Sequence, residues 1–292
     1  MKFIDHQNIS LRLKPRRAKN QFFKSIFFVS AITGLAVLGI LLFRVFSQGL
    51  PHLDWQFLQS LPSRKPELAG VKTALIGTIW LMGVVAPVSL LLGVGTAIYL
   101  EEYAKQNRFT RFIQVNISNL AGVPSIVFGL LGLAIFVRAF ALGTSILAAG
   151  LTLSLMVLPI IIVSSQEAIR AVPRDLREAS YGMGATKWQT IARAVLPSAL
   201  PGILTGGILA LSRAIGETAP LVVLGLPLFL AFLPKTIFDT FTVLPMQIYN
   251  WTSRPQAEFH AIAAAGIIVL LILLITMNSI AVFIRDKFQR RY

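Results

Sequence analysis

The apolar segment 201–225 has the sequence Pro201-Gly-Ile-Leu-Thr-Gly-Gly-Ile-Leu-Ala-Leu-Ser-Arg213-Ala-Ile-Gly-Glu217-Thr-Ala-Pro-Leu-Val-Val-Leu-Gly225. Its length and composition predict a membrane-spanning helix, yet it contains one arginine and one glutamate. Ionisable side chains at bilayer depth cost about 3 kcal/mol or more, so they usually face other helices or a water-filled path. Because Arg213 and Glu217 are one helical turn apart, their charges can neutralise each other. The pair is therefore the first candidate for a substrate path.

Small residues precede this charge pair on the same side of the predicted helix. On a helical wheel, Gly202, Gly206 and Ala210 share a face with Arg213 and Glu217. Stripes of small residues let helices approach each other closely in membranes. We therefore expect the charged face to point towards another helix or a central path and not towards lipid.

The composition is that of a membrane protein. Of the 292 residues, 55% are hydrophobic and only 13% are charged, whereas a soluble domain has about 25% charged residues. The chain has no cysteine and three widely separated histidines, so no thiolate site, metal site or cofactor is expected. No nucleophile–base pair is evident in the apolar segments, so a transport subunit is favoured over an enzyme.

Six segments are long and apolar enough to cross a bilayer, which needs about 20 residues. They predict an all-α, polytopic membrane protein with both termini on the same side of the membrane. The permease-like unit 25–284 would lie between a basic N-terminal segment, 1–24, and a C-terminal segment, 285–292. The predicted spans lie near 25–46, 72–99, 117–137, 145–165, 198–226 and 261–284.

Basic residues set the predicted orientation. With these spans, 19 Lys and Arg residues lie on the side of the termini and 7 on the opposite side. This bias predicts that both termini are cytoplasmic, and it explains the net charge of +15 without a nucleic-acid partner. The surrounding membrane lipid is the expected environment. Glu101 and Glu102 follow the second span on this side, and we interpret them as a solvated helix end.

Four predicted spans contain an interior proline: Pro87, Pro124, Pro159 and Pro220. Each proline removes an amide donor, so these helices should kink. The two halves of the chain show no matching broken segments of the kind expected in an inverted-repeat secondary transporter. A stand-alone secondary transporter or channel nevertheless remains one alternative.

The segment 166–197 between the fourth and fifth spans is predicted to form a helix, a glycine turn and a second helix. Gly182 and Gly184 permit the left-handed conformation that ends a first helix. Thr186 is placed to cap a second helix, which Pro197 should end. Such a hairpin could contact a cytoplasmic partner, or it could lie on the membrane surface.

The same segment resembles the EAA loop of ABC importer permeases. The resemblance implies a type I ABC importer permease, with this loop docked in a groove of a separate nucleotide-binding subunit that hydrolyses ATP. The chain itself contains no Gly-x-x-x-x-Gly-Lys-Ser/Thr phosphate loop, which agrees with that division. The residues that carry the resemblance, and that it assigns to ATPase coupling, are Glu178, Ala179, Ser180, Gly184, Leu196 and Pro197.

Three further strings, 119–129, 212–221 and 244–251, are similar to the PstA family of phosphate importer permeases. The resemblance implies a multi-pass protein of a prokaryotic plasma (inner) membrane. It also implies three kinds of partner subunit: a related PstC-like permease, two copies of a PstB-like ATPase, and a PstS-like phosphate-binding protein. An ABC permease for another oxyanion, such as sulfate or molybdate, is the alternative within the same class.

The charge pair then suggests a mechanism. Arg213 can offer a planar set of donors to a phosphate oxyanion. Glu217 would neutralise Arg213 when the path is empty and would weaken anion binding enough to allow release. The alternative is that the pair only joins the fifth span to a neighbouring helix.

Overall fold

The structure is a computed structural model that describes residues 6–105 and 107–288. Within these residues the fold is all-α, and the one isolated β-bridge joins Ser145 to Thr240. The predicted terminal segments include residues 1–5 and 289–292, which lie outside the described residues. The helices are α1 (His6–Gly49), α2 (Trp55–Gln59), α3 (Lys72–Ile98), α4 (Arg108–Leu120), α5 (Ser125–Gly132), α6 (Ile146–Arg170), α7 (Arg174–Gly182), α8 (Lys187–Thr190), α9 (Leu196–Gly216), α10 (Ala219–Val223), α11 (Leu244–Thr252) and α12 (Ala257–Phe288).

Three π-helical turns lengthen these helices. Tyr99–Tyr103 extends α3, Leu133–Ala139 extends α5, and Ile191–Val195 joins α8 to α9 without interruption. In the described part, five helices are long and apolar enough to cross a membrane, and α4 with the extended α5 would make a sixth if counted as one span. The predicted spans 25–46, 72–99, 145–165 and 261–284 are confirmed as helices long and apolar enough to cross a membrane, because they match parts of α1, α3, α6 and α12 to within one residue.

The predicted third span, 117–137, is wrong as a single helix. α4 ends at Leu120 and the extended α5 begins at Ser125, with a bend of 106° between them. Pro124 precedes α5 and does not lie inside a helix. Proline has no N–H and disfavours the helical conformation of the residue before it, so a helix cannot easily continue through this point.

The predicted fifth span, 198–226, is also interrupted. α9 ends at Gly216, and Glu217 has φ −75° and ψ 127°, which is extended backbone. Pro220 lies in the first turn of α10. Backbone N–H groups there have no partner inside the helix, so the missing N–H of proline costs no helical hydrogen bond. By contrast, Pro87 and Pro159 do lie inside helices, as predicted.

α6 is at the centre of the packing. A Cβ on Gly150 of α6 would lie 2.6 Å from Val84 Cγ1, and one on Gly93 of α3 would lie 2.6 Å from Ile161 Cγ2. These glycines therefore allow α3 and α6 to pack in direct contact. Side chains from α3, α5, α6, α9 and α10 share one buried apolar core.

The two interrupted spans meet in this core. A Cβ on Gly129 of α5 would lie 2.8 Å from Pro220 Cα and 2.9 Å from Pro220 O in α10. Phe128 and Leu221, next to these two residues, are both fully buried. The backbone of α5 therefore contacts the start of α10 directly, and no side chain fits between them.

Replacing Gly129 by alanine should destabilise the protein by about 1–3 kcal/mol, because the added methyl group meets backbone atoms that cannot rotate away. Thermal unfolding of the detergent-purified protein measures the effect. Gly83→Ala is the matched control, since a Cβ on Gly83 meets nothing within 4 Å, and alanine should stabilise α3 by up to about 1 kcal/mol. Equal unfolding temperatures for the two variants would contradict the close contact.

Candidate functional site

The predicted ion pair forms at the end of α9. Arg213 Nε donates a hydrogen bond to Glu217 Oε1 at 3.1 Å. The Arg213 side chain is 48% exposed in this single chain, whereas the Glu217 side chain is 17% exposed. A cation in the last turn of a helix also interacts favourably with the free carbonyl groups there. The pair therefore lies where the helix axis of the fifth span is broken.

The small-residue stripe behaves as predicted, but Glu217 does not lie on its helical wheel. Gly202 approaches Ala168 of α6, Gly206 approaches Ser164, and Ala210 is buried. Glu217 lies beyond the last residue of α9, so its wheel angle has no meaning and that part of the prediction is wrong. The cause is the interruption of the helix before Pro220, because a helical wheel assumes an uninterrupted helix.

A polar contact next to the ion pair was not predicted. Ser212 Oγ lies 2.7 Å from Asn278 Oδ1 of α12 and 2.7 Å from the carbonyl oxygen of Ile208. Hydrogen bonds between helices are a recognised source of association in membranes. This contact holds α9 against α12 one residue before Arg213. Sequence spacing gave no signal for it, because the two residues are 66 positions apart.

The segment between α6 and α9 forms the predicted helix–turn–helix, which we call the α7–α8 hairpin (174–190). Gly184 has φ +82° and lies in the turn that follows α7. Gly182 is the last residue of α7 and has no positive φ. Thr186 caps α8 in a reciprocal pair with Gln189. Pro197 does not end α8 as predicted: the helix continues through the π-helical turn Ile191–Val195, and Pro197 lies in the first turn of α9.

The six residues with EAA-loop spacing divide into an exposed and an inner set. Glu178, Ala179 and Gly184 are exposed on the hairpin. Ser180 is buried, and its hydroxyl lies 2.9 Å from the hydroxyl of Thr190, which links α7 to α8.

Leu196 and Pro197 form the rest of the inner set and are half-buried. Leu196 packs on an apolar cluster that includes Ala97 of α3 and Ile169 of α6. The two inner residues at the start of α9 therefore connect the hairpin to the membrane helices.

Glu101 and Glu102 are not a solvated helix end, so that interpretation is wrong. Both lie in the π-helical turn after α3 and bind side chains from elsewhere in the chain. Glu101 accepts hydrogen bonds from Arg170 and Gln166 of α6, at 2.6–2.9 Å. Glu102 accepts one from Arg177 of α7 at 2.7 Å.

On the opposite end of the bundle, the segment after α10 folds back on the start of α6. The carbonyl groups of Ile237 and Asp239 accept hydrogen bonds from Leu147 and Ile146, whose amides have no partner inside their own helix. The backbone amides of Lys235 and Thr236 donate to the Asp239 carboxylate and hold its pKa below the usual range. The loop after α10 is therefore held against the N-terminal end of α6.

Solved structures of ABC transporters have a similar fold. A bacterial ABC transporter that imports the acidic polysaccharide alginate matches with a TM-score of 0.65 and 16% identity, over 96% of this chain and 100% of that one. The MetNI methionine ABC transporter, in an inward-facing conformation, matches with a TM-score of 0.60 and 19% identity, over 73% and 94%. The fold is that of a membrane permease subunit of a type I ABC importer.

Sequence relatives narrow this class to a family. Residues 89–292 match the family described as binding-protein-dependent transport system inner membrane component, and the chain belongs to it. The phosphate transport system permease protein PstA 1 of Mycobacterium tuberculosis is 36% identical over 286 residues, covering 94% of this chain and 91% of the relative. PstA of Haemophilus influenzae is 31% identical over 285 residues, covering 97% and 99%. The probable ABC transporter permease YqgI of Bacillus subtilis is 33% identical over 264 residues, covering 84% and 89%.

Proposed function

We propose that this chain is the permease subunit of an ATP-driven importer that carries inorganic phosphate across the plasma (inner) membrane of a prokaryote. The ion pair between Arg213 and Glu217 carries the proposal, because it puts a cation and its counter-charge at a break in a membrane span. Broken helices supply polar sites at membrane depth in other transporters. Similarity to PstA permeases over nearly the whole chain supports phosphate as the substrate.

Arg213 keeps donors available for an anion. Only its Nε–H is used by Glu217, and its two terminal amino groups make no hydrogen bond within the part of the chain whose side chains the structure describes. The planar guanidinium can offer these groups to two oxygens of one phosphate. The arginine therefore has donors for an oxyanion that Glu217 does not occupy.

Glu217 makes this binding weak enough for transport. A carboxylate within 3.1 Å of Arg213 Nε offsets part of its positive charge and repels an arriving anion. A transport path needs binding that is favourable enough for entry but weak enough for exit. Tight capture of phosphate then belongs to the binding protein that delivers it.

The α7–α8 hairpin is the proposed contact for the ATPase. Met183 is 84% exposed and Trp188 is 60% exposed, on either side of the Gly184 turn. Large apolar side chains that share one exposed tip are typical of an interaction site. In this proposal the exposed residues Glu178, Ala179 and Gly184 contact the ATPase, while Ser180, Leu196 and Pro197 connect the hairpin to α9.

The proposed assembly contains one PstC-like permease, two PstB-like ATP-binding subunits and one PstS-like phosphate-binding protein. The relatives and structural neighbours support ABC transporter partners in general. ATP hydrolysis is assigned to the partner subunits because this sequence has no phosphate loop. Both termini and the α7–α8 hairpin are placed in the cytoplasm from the distribution of Lys and Arg.

Replacing Arg213 by glutamine removes its charge and keeps a polar side chain. We expect phosphate uptake to fall about tenfold to 100-fold, since a hydrogen bond to a charged group contributes about 1.5–3 kcal/mol. Uptake of radiolabelled phosphate into proteoliposomes that contain the complete transporter is the measurement. Co-purification of all subunits establishes that the variant assembles.

Arg138→Gln is the matched control for this experiment. Arg138 lies one residue beyond the predicted third span, in the π-helical turn that extends α5, and it has no acidic partner within the described residues. Its replacement should leave uptake within about twofold. Normal phosphate uptake by an assembled Arg213→Gln transporter would contradict the proposal. Faster wild-type uptake of sulfate or molybdate than of phosphate would identify another oxyanion as the substrate.

Replacing Gly184 by valine should weaken the contact with the ATPase. A side chain at φ +82° is strained by about 1–2 kcal/mol or more, although the space around Gly184 is open. We expect less ATPase to co-purify and ATP-driven uptake to fall about fivefold or more. Gly182→Val is the control, because its surroundings are equally open and its φ is not positive. Uptake that persists in Gly184→Val and with an inactivated ATPase would indicate a stand-alone transporter.

A further inference from the structure

The π-helical turn Tyr99–Tyr103 connects α3 to two different helices through its two adjacent glutamates. Within the described residues, Glu101 forms side-chain hydrogen bonds only with α6, through Arg170 and Gln166. Glu102 binds α7, through Arg177 at 2.7 Å. Two ion pairs of the same chemistry therefore lie next to each other, and only one of them reaches the hairpin.

Arg177 holds three helices at once. Its Nη1 donates to Glu102 after α3, and its Nη2 donates to the carbonyl oxygen of Ile169 in the last turn of α6, at 2.8 Å. Arg177 itself belongs to α7. One guanidinium therefore ties the first helix of the hairpin to the ends of two membrane helices.

This ion pair is shielded from water. The Glu102 side chain is 7% exposed and the Arg177 side chain is 25% exposed, whereas Arg170 in the neighbouring pair is 52% exposed. Solvent and salt screen a buried pair much less than an exposed one. Removing one partner leaves a buried charge without compensation, so the contact resists separation.

Apolar packing supports the same connection. Val172 and Leu176, on either side of the start of α7, pack in one cluster with Ala97 of α3, Ile169 of α6 and Val195 before α9. Packed interiors move as units more readily than they deform. A displacement of α7 is therefore transferred to the ends of the second, fourth and fifth spans.

We propose that Glu102 and Arg177 are positioning residues that transmit movement of α7 to α3, and so couple ATP hydrolysis by the partner to phosphate movement through the membrane. This inference rests on the proposed function, because it requires an ATPase docked on the hairpin. The pair touches neither phosphate nor ATP. Its role is to keep α7 and the membrane helices moving together.

The test compares Glu102→Gln with Glu101→Gln in the complete transporter in proteoliposomes. Both changes remove one carboxylate charge from the same turn, but within the described residues only Glu102 accepts a hydrogen bond from α7. We expect Glu102→Gln to lower the phosphate imported per ATP hydrolysed by about fivefold or more, the usual range of coupling between two sites. Glu101→Gln should keep this ratio within about twofold, because glycine contacts already hold α3 against α6. A role in stability alone would change both variants alike.

A charge swap separates coupling from folding. The double variant Glu102→Arg with Arg177→Glu restores opposite charges between α3 and α7 but loses the hydrogen bond to the Ile169 carbonyl, so it should recover part of the lost ratio. If Glu102→Gln fails to assemble, recovery of assembly and coupling in the swap supports the inference. The inference is wrong if Glu102→Gln keeps the wild-type ratio, if Glu101→Gln loses as much, or if the swap recovers nothing. A wild-type transporter without ATP-driven phosphate uptake would contradict the proposed function itself.

Discussion

Direct contact between Gly129 and Pro220 joins the two interrupted spans of this protein. A Cβ on Gly129 would lie 2.8 Å from Pro220 Cα, so a residue without a side chain is needed there. Lipid offers no hydrogen bonds to the backbone groups that a helix break leaves free, so protein must cover each break. This chain meets that constraint by packing one broken span against the other. The ion pair of Arg213 and Glu217 lies at one of these breaks, and its position depends on the same contact.

α6 connects the two interrupted spans to the α7–α8 hairpin. Its middle part packs on α3 at Gly150 and on α9 at Ser164, and its last turn carries Arg170 and the carbonyl group of Ile169 that binds Arg177. Contacts through small residues leave no space for gradual adjustment, so helices packed in this way change position in discrete steps. A partner that moves the hairpin therefore moves whole helices. One of them is α9, which ends at the break beside Glu217.

Sequence patterns predicted the features that depend on local chemistry. The lengths of the apolar segments predicted four complete spans, and the positions of glycine and threonine predicted the α7–α8 hairpin. Proline was ambiguous, because Pro159 is accommodated inside a helix whereas Pro124 and Pro220 adjoin breaks, and neighbouring helices decide between these outcomes. The pairing of Glu102 with Arg177 could not be predicted, because the residues are 75 positions apart and meet only after the helices pack. The assignments of the site residues to phosphate and ATPase contacts stay predictions.

The position of Glu217 outside α9 changes what the ion pair can do. Two charges four residues apart inside one helix have fixed backbone positions, so they stay neighbours. Glu217 has extended backbone and belongs to the short link between α9 and α10. Under the proposed function, this link lets Glu217 withdraw from Arg213 as phosphate arrives while the helical hydrogen bonds of α9 stay intact. A continuously helical span would hold the carboxylate beside the arginine and oppose the anion at every stage. The helix break is therefore what makes a neutralised arginine compatible with both binding and release.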